Sequence, residues 1–480
     1  MSFLDDIVFE AGVVVQSLAE YLQGGALRIG VTGLSHAGKT VFVTALINNL
    51  VAGTRLPVLA ASAEGRIARV SLDPQPDDSV PRFPYEDHLA ALSGPDRHWP
   101  QGTRRISQLR LKIEFERATG WGAGPSTLNL DIVDYPGEWL LDLPLLDKSY
   151  AQWSRETILA SQEPARAPVA ADWLACLAGL DPRAPAEEET ARSCAASFTA
   201  YLRRARDDVY ALSTLPPGRF LMPGDLEGSP ALTFAPLPME NDAKIAAGSL
   251  AAMMERRYEA YKTYVVRPFF RDHFSRLDRQ IVLVDALTAL NSGPAALRDL
   301  ENALSEVLNA FRAGRASTLA KIFRPRVDRI LFAATKADHL HHSSHDRLEA
   351  ILRVLTAKAI ARAEGVGAQI DVIALAAVRA THEAEIRQGG QQLDAIVGVP
   401  EAGEALDGQV FDGIVEAAVF PGRLPEDPLS VFEGDAIALP EADNDWRFLR
   451  FRPPLVARGT PAPHIRLDRA LQFLIGDRLA

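Results

Sequence analysis

Residues 26–40 read ALRIGVTGLSHAGKT, and this stretch decides the fold. Residues 26–33 are a short apolar run with β-branched residues that ends at a glycine, which is typical of a buried strand. Residues 39–52 carry the apolar spacing of a helix. Between the two, Gly33 to Thr40 match the pattern GxxxxGK(S/T). This pattern, placed after a strand and before a helix, predicts a phosphate-binding loop.

The residue types of the loop suit a nucleoside triphosphate. Glycines let main-chain N–H groups curl around a β-phosphate, and the start of the following helix favours negative charge. Lys39 is expected to reach the β- and γ-phosphates, and the Thr40 hydroxyl is expected to ligate Mg²⁺. The predicted nucleotide-binding residues of the loop are Gly33, Ser35, His36, Ala37, Gly38, Lys39, Thr40 and Val41.

A second motif, Asp134-Tyr-Pro-Gly137, follows a strand predicted at residues 127–133. Asp134 could hold Mg²⁺ through a water molecule, and the Gly137 N–H could contact the γ-phosphate. Loss of that phosphate would then release the loop, which is how a nucleotide becomes a conformational switch. The predicted metal ligands are therefore Thr40, Thr103 and Asp134, with Thr103 taken from the loop that precedes the neighbouring strand.

Glu138 stands directly after this motif, where Ras-like proteins usually place a Gln that orients the attacking water. A Glu could act as a base, but its charge would repel a γ-phosphate unless it is neutralised. A catalytic role and a structural or switch role therefore both stay open. The predicted catalytic residues are Lys39, Thr103, Gly137 and Glu138.

A third motif, Thr335-Lys336-Ala337-Asp338, ends a strand predicted at residues 329–335. Asp338 would accept hydrogen bonds from the N1–H and 2-amino groups of guanine, and the Lys336 stem would pack on the base. Adenine lacks both donors, and a buried carboxylate left unpaired costs about 2–3 kcal/mol, or roughly 30–150-fold in affinity. The next strand ends near Ala377 and Val378, whose main chain could contact the guanine O6. The predicted ligand is therefore GTP or GDP.

The rest of the chain alternates strands with helices, which predicts a mainly parallel sheet with helices on both faces. Alternating apolar residues at 106–115 and 127–133 predict an antiparallel hairpin, and residues 54–104 are expected to be a long irregular loop. The predicted units are an N-terminal amphipathic helix (1–25), a GTPase domain in two parts (26–140 and 279–400), an inserted, mostly helical domain between them (141–278), and a C-terminal extension with short strands and a final helix (401–480).

Composition excludes several classes of function. The 480 residues are 47% hydrophobic and carry a net charge of −11, and no tract is strongly basic, so nucleic-acid binding is not expected. No run of about 20 apolar residues appears, so no segment is expected to span a membrane. The two cysteines, Cys176 and Cys194, have no metal-ligand spacing, and a reducing, cytoplasmic compartment fits them. The sequence does not indicate an oligomeric state.

Two further groups of residues have candidate roles. His339, His341, His342 and His345 crowd one loop, where a solvated or capping role is favoured over a metal site because no carboxylate completes a recognised spacing. Ser343 and Asp346 have the spacing of a helix capping box. Arg155 and Arg219, in the predicted insert, are candidates for an arginine that reaches the nucleotide within the same chain.

The three motifs in this order are typical of the Ras-like GTPase superfamily, and the chain as a whole resembles the YcjX-like family of bacterial P-loop proteins, described as stress-associated GTP-binding proteins. The matching segments are GLSHAGKTVFVTALINNL (33–50), PRFPYEDHLAAL (81–92), TRRISQLRL (103–111), LDIVDYPGEWLLDLPLL (130–146), ATKADHL (334–340) and HIRLDRALQFLIGD (464–477).

The resemblance implies a Ras-like α/β P-loop NTPase fold with a mainly parallel sheet, an antiparallel hairpin, a large helical insertion and a C-terminal β-containing extension. It also implies GTP/GDP binding with Mg²⁺, slow hydrolysis, a stress-related role, and a membrane-protein partner at the inner membrane surface. Ser35 and His36 depart from the glycines of Ras at these positions. A side chain at Ser35 could obstruct an arginine from a partner, and the absence of Asn at His36 argues against potassium activation.

Two other functions stay open at this point. The chain could hydrolyse ATP, with the TKAD motif a coincidence. Alternatively, the nucleotide could be a structural ligand of an interaction module without significant catalysis. Glu138, which stands where a catalytic Gln is usual, is consistent with this alternative.

Overall fold

The computed structural model describes residues 26–34, 37–53, 56–75, 77–102, 105–118, 124–207, 209–239, 245–310, 327–365, 367–388, 390–406, 408–433, 446–457 and 459–480. The N-terminal helix predicted for residues 1–25 lies outside these ranges, as do Ser35, His36 and Thr103.

A seven-stranded sheet forms the centre of the molecule. Its strands are Leu27–Gly33 (β1), Ile67–Asp73 (β2), Ser107–Arg117 (β3), Gly124–Asp134 (β4), Arg279–Val284 (β5), Arg329–Ala334 (β6) and Gln369–Ala374 (β7). Their order across the sheet is β2-β3-β4-β1-β5-β6-β7. Strand β3 is antiparallel to β2 and β4, and the other neighbours pair in parallel. The predicted α/β fold, a mainly parallel sheet with an antiparallel hairpin, is confirmed.

Helices connect and cover these strands. The α-helices of the described ranges are Lys39–Val51 (α1), Ala60–Ala63 (α2), Tyr85–Ser93 (α3), Tyr150–Ser161 (α4), Ala167–Ala178 (α5), Glu188–Arg206 (α6), Gly218–Leu221 (α7), Leu250–Tyr261 (α8), Arg267–Asp272 (α9), Ala286–Ser292 (α10), Pro294–Ala310 (α11), His345–Glu364 (α12) and Leu467–Ile475 (α13). Shorter 3₁₀ segments include Gly137–Asp147, directly after β4, and Ala337–His339, after β6.

The two faces of the sheet bury different helices because side chains alternate along each strand. On β5, Ile281 and Leu283 pack in a core that includes residues of α1 and α13. Val282 and Val284 point to the other face and pack in a core with residues of α11, α12 and the helices between β4 and β5. Helices therefore cover both faces, as the sequence predicts.

The described residues between β4 and β5 form helices and connecting loops, consistent with the predicted helical insertion. Aromatic side chains fill their interior. The ring of Trp153 stacks on Tyr258 at 5.1 Å between centroids, and that of Trp173 stacks on Tyr201 at 5.4 Å. This interior is continuous with the core on one face of the sheet. The placing of domain boundaries at residues 141 and 278 stays a prediction.

The C-terminal part adds a small antiparallel sheet, which confirms the predicted β-containing extension. Strands His382–Gln388 (β8) and Gln391–Gly398 (β9) pair as a hairpin, and Ala417–Val419 (β12) pairs with β9. Between them lies a ladder of Ala405–Leu406 (β10) and Gln409–Val410 (β11). The hairpin was not predicted, because its strands are rich in charged and amide residues and offer little apolar alternation.

The prediction that residues 54–104 are one irregular loop is wrong, because this region contains α2, β2 and α3. Strand β2 forms the edge of the sheet, where most of its side chains stay partly or fully exposed, so its apolar pattern is weak. Helix α3 has nine residues and buries only Tyr85 and Leu92. Within the described residues, no helix is long and apolar enough to cross a membrane.

Candidate nucleotide-binding site

The loop after β1 turns sharply into α1. Gly38 has a φ of 77°, in the left-handed region that favours glycine, and Lys39 begins the helix. The Lys39 ammonium is nearly buried and donates to the carbonyl oxygen of Gly33 at 2.7 Å and to that of Leu34 at 3.5 Å. The lysine side chain therefore folds back over the loop that it ends, as a phosphate-binding lysine must.

The Asp134 motif lies against the same loop. Strand β4 pairs in parallel with β1, and Asp134 stands opposite Val31, so both strands end at one edge of the sheet. A Cβ atom added to Gly137 would lie 1.6 Å from the Gly33 carbonyl oxygen and 3.1 Å from Lys39 Nζ. Only glycine fits there, because the main chain after β4 packs directly on the phosphate loop beside the lysine ammonium.

The TKAD motif is held at the ends of β6 and β7. Lys336 has a left-handed φ of 61°, and its ammonium lies 2.5 Å from Asp285 Oδ2. Asp338 Oδ2 accepts a hydrogen bond from the Ala380 N–H at 2.8 Å, and the Thr381 hydroxyl donates to the Asp338 carbonyl oxygen. These contacts fix both side chains that the sequence assigns to the guanine base.

The sequence analysis did not single out Asp285, because it directly follows β5 and belongs to none of the three motifs. The strand ends at Val284, and Asp285 caps α10 by accepting from the Thr288 N–H at 3.1 Å and from the Thr288 hydroxyl at 2.8 Å. Burial alone would raise the pKa of Asp285, but the charge of Lys336 and these hydrogen bonds hold the pKa below its usual value. The carboxylate is therefore a fixed anchor for Lys336.

A cavity of about 630 Å³ joins the phosphate loop and the TKAD motif. Its lining includes these residues that the sequence predicts for the site: Ala37, Gly38, Lys39, Thr40, Val41, Glu138, Thr335, Lys336, Asp338, Ala377 and Val378. Gly33, Asp134 and Gly137 lie beside the cavity, in the edge of the sheet and the loop packed on it, rather than in its lining. A volume of this size suits a small organic ligand. The functional roles of these residues stay predictions.

Several lining residues have no sequence motif: Trp99, Arg206, Met222, Thr288, His339, Glu401, Arg450 and Phe451. Trp99 lines the cavity and donates from Nε1 to the Phe451 carbonyl oxygen at 2.7 Å. Arg206, the last residue of α6, lies with its Nη1 3.6 Å from Glu138 Oε1. Such residues reach the cavity through tertiary packing, and none of them belongs to the three motifs that the sequence shows.

The two arginines named from the sequence do not line this cavity. Arg155 is exposed on α4. The Arg219 guanidinium instead stacks on the Trp139 ring, 3.1 Å from its centroid. Arg206, from the helical region, does line the cavity.

Of the four histidines expected to be solvated or to cap a helix, two are buried rather than solvated. His339 is buried, with its ring edge-on to Phe451, and burial lowers its pKa, so it is neutral at pH 7. His345 is also buried, and its Nε2 donates to the Ala337 carbonyl oxygen at 2.9 Å. The predicted capping box is wrong as well. The cap of α12 is Ser344, without a side-chain cap bond, and the Ser343 hydroxyl donates to Asp394 instead.

The other two histidines meet a carboxylate that is distant in sequence. His341, His342 and Glu383 of β8 have potential ligand atoms within 4.8 Å of one another. His342 Nδ1 lies 2.9 Å from Glu383 Oε2, and Arg379 lies 3.9 Å from the same carboxylate. Glu383 is thus already engaged by a hydrogen bond and by a nearby cation, and the cluster fastens this loop to the β8–β9 hairpin.

The fold and the cavity together define an α/β P-loop protein of the Ras-like class. The chain belongs to the YcjX-like family, DUF463, which matches residues 27–479. It is 40% identical to the Ras-like GTPase YcjX of Escherichia coli (strain K12), over 94% of this chain and 96% of that protein. It is 34% identical to the Ras-like GTPase YcjX of Shewanella oneidensis, over 100% of both chains.

Among solved structures, a chain of the signal recognition particle receptor SRb-GTP/SRX complex from Chaetomium thermophilum matches 74% of this chain and 91% of its own length. The two are 11% identical and have a TM-score of 0.23. A likeness at this level carries no argument about function.

Proposed function

We propose that this protein binds guanine nucleotides and hydrolyses GTP slowly, with Mg²⁺. One observation carries the proposal: Lys39 and Thr40 of the phosphate loop and Asp338 of the TKAD motif line the same cavity. A triphosphate tail at one end and a purine at the other would satisfy both motifs at once. The relatives named Ras-like GTPases support the same conclusion.

At the phosphate end, main-chain amides of residues 37–41 and the Lys39 ammonium would bind the β- and γ-phosphates. The Lys39 ammonium already donates hydrogen bonds to two carbonyl oxygens in the loop. Little reorganisation of the side chain is therefore needed when phosphate oxygens replace them as acceptors. The charge that develops on the phosphates during hydrolysis would be offset by groups that are in place beforehand, which is the main source of catalysis in such sites.

The residues near the end of β4 fit a magnesium ion. Thr40 and Asp134 are both buried, and a hydroxyl and a carboxylate are the hard oxygen donors that Mg²⁺ prefers. Thr40, Asp134 and Thr103 would hold the ion, which when bound would neutralise phosphate charge. Gly137 would report the γ-phosphate through its N–H, since its main chain already packs on the loop.

At the base end, Asp338 would choose guanine by accepting from its N1–H and 2-amino groups. Lys336, held by Asp285, would pack its stem on the ring, and the main chain at Ala377 and Val378 would contact O6. These contacts favour GTP over ATP by roughly 30–150-fold.

Hydrolysis of GTP by the isolated protein should be slow, because Glu138 replaces the Gln that usually positions water. Unassisted switch GTPases turn over at about 10⁻⁴ to 10⁻² per second. The stress-related role and the membrane-protein partner at the inner membrane surface come from the family resemblance alone, and are proposed on that basis.

Phosphate release from GTP and from ATP, by the wild type and by Lys39→Ala, tests the proposal. We expect the wild type to release phosphate from GTP with Mg²⁺, and Lys39→Ala to fall to background because it loses the charge at the β- and γ-phosphates. A wild type that is no faster than Lys39→Ala would favour a non-catalytic interaction module. A wild type that prefers ATP would favour the ATPase alternative.

A further inference from the structure

Arg206 occupies a place in the cavity that no motif explains. It ends α6, and its side chain is 27% exposed, with Nη1 3.6 Å from Glu138 Oε1. The cavity wall that contains Arg206 and Glu138 also contains Lys39 and Thr40. A guanidinium from the helical region therefore shares a cavity with the predicted phosphate-binding residues.

The position of Glu138 shows which part of the nucleotide Arg206 would face. Glu138 directly follows Gly137, whose main chain touches Gly33 and stands next to the Lys39 ammonium. Lys39 marks the β- and γ-phosphates in a loop of this kind. The contact between Arg206 and Glu138 therefore places the guanidinium near the end of the cavity where the terminal phosphate would bind.

Hydrogen bonds anchor the segment after α6 both to α6 itself and to α11. The Leu212 N–H donates to the Ala205 carbonyl oxygen at 3.0 Å, which folds the following segment back onto the helix. Asp299 of α11 then accepts from the main-chain N–H groups of Ser213 and Thr214, and it is ion-paired with the buried Arg166. Arg206 is thus presented by an anchored segment rather than by a free helix end.

The charges fit the same assignment. A carboxylate at Glu138 would repel a γ-phosphate, and Arg206 supplies the neutralising charge that the sequence alone did not reveal. A guanidinium has five donors in a planar fork that suits phosphate oxygens. When a triphosphate enters, Arg206 can bind its oxygens while it still neutralises Glu138.

We infer that Arg206 is a catalytic residue supplied within the chain, which contacts the terminal phosphate and stabilises the transition state; this inference rests on the proposed hydrolysis of GTP. In that step, the water oxygen bonds to the γ-phosphorus while the bond to the bridging oxygen breaks. The electron pair stays on the β-phosphate of GDP, and the protons of water go to phosphate and solvent. Arg206 transfers no proton and offsets the charge that grows on these oxygens.

Single-turnover GTP hydrolysis by full-length Arg206→Ala tests the inference. We expect the rate to fall on the order of 10²-fold or more, since such arginines contribute about 10³–10⁵-fold in related enzymes. Affinity for fluorescent GDP, which lacks the terminal phosphate, should change by less than about threefold. Arg204→Ala is the matched control, because Arg204 lies on the same helix, 46% exposed and paired with Asp172. It should hydrolyse GTP at the wild-type rate.

A double variant separates direct contact from simple neutralisation of Glu138. If Arg206 acts on phosphate, Glu138→Ala combined with Arg206→Ala should stay as slow as Arg206→Ala alone. Recovery of the wild-type rate in the double variant would overturn the inference, and so would a wild-type rate in Arg206→Ala. Should Arg206→Ala melt early, Arg206→Gln, which keeps most of the stem, carries the same expectation. Failure of the proposed function would appear differently, as a wild type no faster than Lys39→Ala.

Discussion

Two of the groups of residues that line the cavity are built in opposite ways. The motif side consists of short stretches that follow strands, namely residues 37–42, then Thr335, Lys336 and Asp338, and residues 376–378. The helical side consists of Glu138, Arg206 and Met222, which lie far apart in the chain. Recognition chemistry can therefore be concentrated in local motifs, while the groups that complete a site come from tertiary packing.

Contacts between the helical region and the segment after β4 hold the helical side together. Asp142 accepts from the Gly218 N–H at 2.7 Å and from the Tyr261 hydroxyl at 2.6 Å. Trp139 donates from Nε1 to the Met222 carbonyl oxygen at 2.9 Å. The segment that follows Gly137 is therefore bound to the helical region, which also carries lining residues. A shift of this segment would consequently displace the helices that contact it.

The largest expected effect lies on the motif side, in Asp338→Asn. An Asn side chain keeps one acceptor but replaces the second with a donor that faces the guanine 2-amino group. We expect affinity for GDP to fall roughly 30–150-fold. Affinity for xanthosine diphosphate should rise, because xanthine carries an oxygen at that position. Displacement of fluorescent GDP measures both.

The exposed Asp346→Asn on α12 is the control for this substitution and should leave both affinities unchanged. Affinity of Asp338→Asn for GDP within about threefold of the wild type would remove Asp338 from base recognition.

A smaller effect is expected on the helical side, in Gly218→Ala. A Cβ atom there would lie 1.7 Å from the Glu138 carbonyl oxygen, so α7 and the segment after β4 must separate. Overpacking of this kind costs about 1–3 kcal/mol. We expect a lower melting temperature and slower GTP hydrolysis, with GDP affinity changed less than hydrolysis.

Gly179→Ala is the matched control, because its Cβ would meet nothing closer than 3.6 Å. If Gly218→Ala hydrolysed GTP and melted as the wild type does, the helical side would not depend on this close packing.

The smallest effect is a pH dependence of stability that arises at Asp142. Burial raises the pKa of this carboxyl to about 7, although hydrogen bonds from Tyr261 and Gly218 lower it in part. Between pH 4 and 7 the folded state therefore holds a proton that the unfolded state releases. The contribution to stability is complete at low pH and is lost as pH rises toward 7.

Melting temperatures of the wild type and Asp142→Asn, compared from pH 5 to 8, check this expectation. The stability of the wild type relative to Asp142→Asn should fall as pH rises, since the amide does not titrate. A flat difference for Asp142→Asn would show that the carboxyl does not gain a proton in the folded state.

The sequence predicted the central sheet, because β1, β6 and β7 are apolar runs that end at recognisable loops, and residues of the phosphate loop and the TKAD motif line one cavity. It missed β2 and the β8–β9 hairpin, since their exposed side chains leave little apolar alternation. Arg206 could not be found because nothing local marks it, and its place depends on tertiary contacts such as those that Asp299 makes with the segment after α6. Likewise, Glu383 reaches the histidine loop only when the hairpin is folded.

The central claim is that one cavity binds phosphate at its motif loop and guanine at Asp338. Competition of GTP and ATP for displacement of fluorescent GDP from the wild-type protein, with Mg²⁺ present, tests it most directly. The account predicts that GTP displaces the probe at a concentration at least about thirtyfold lower than ATP does. Equal displacement by the two nucleotides would contradict it.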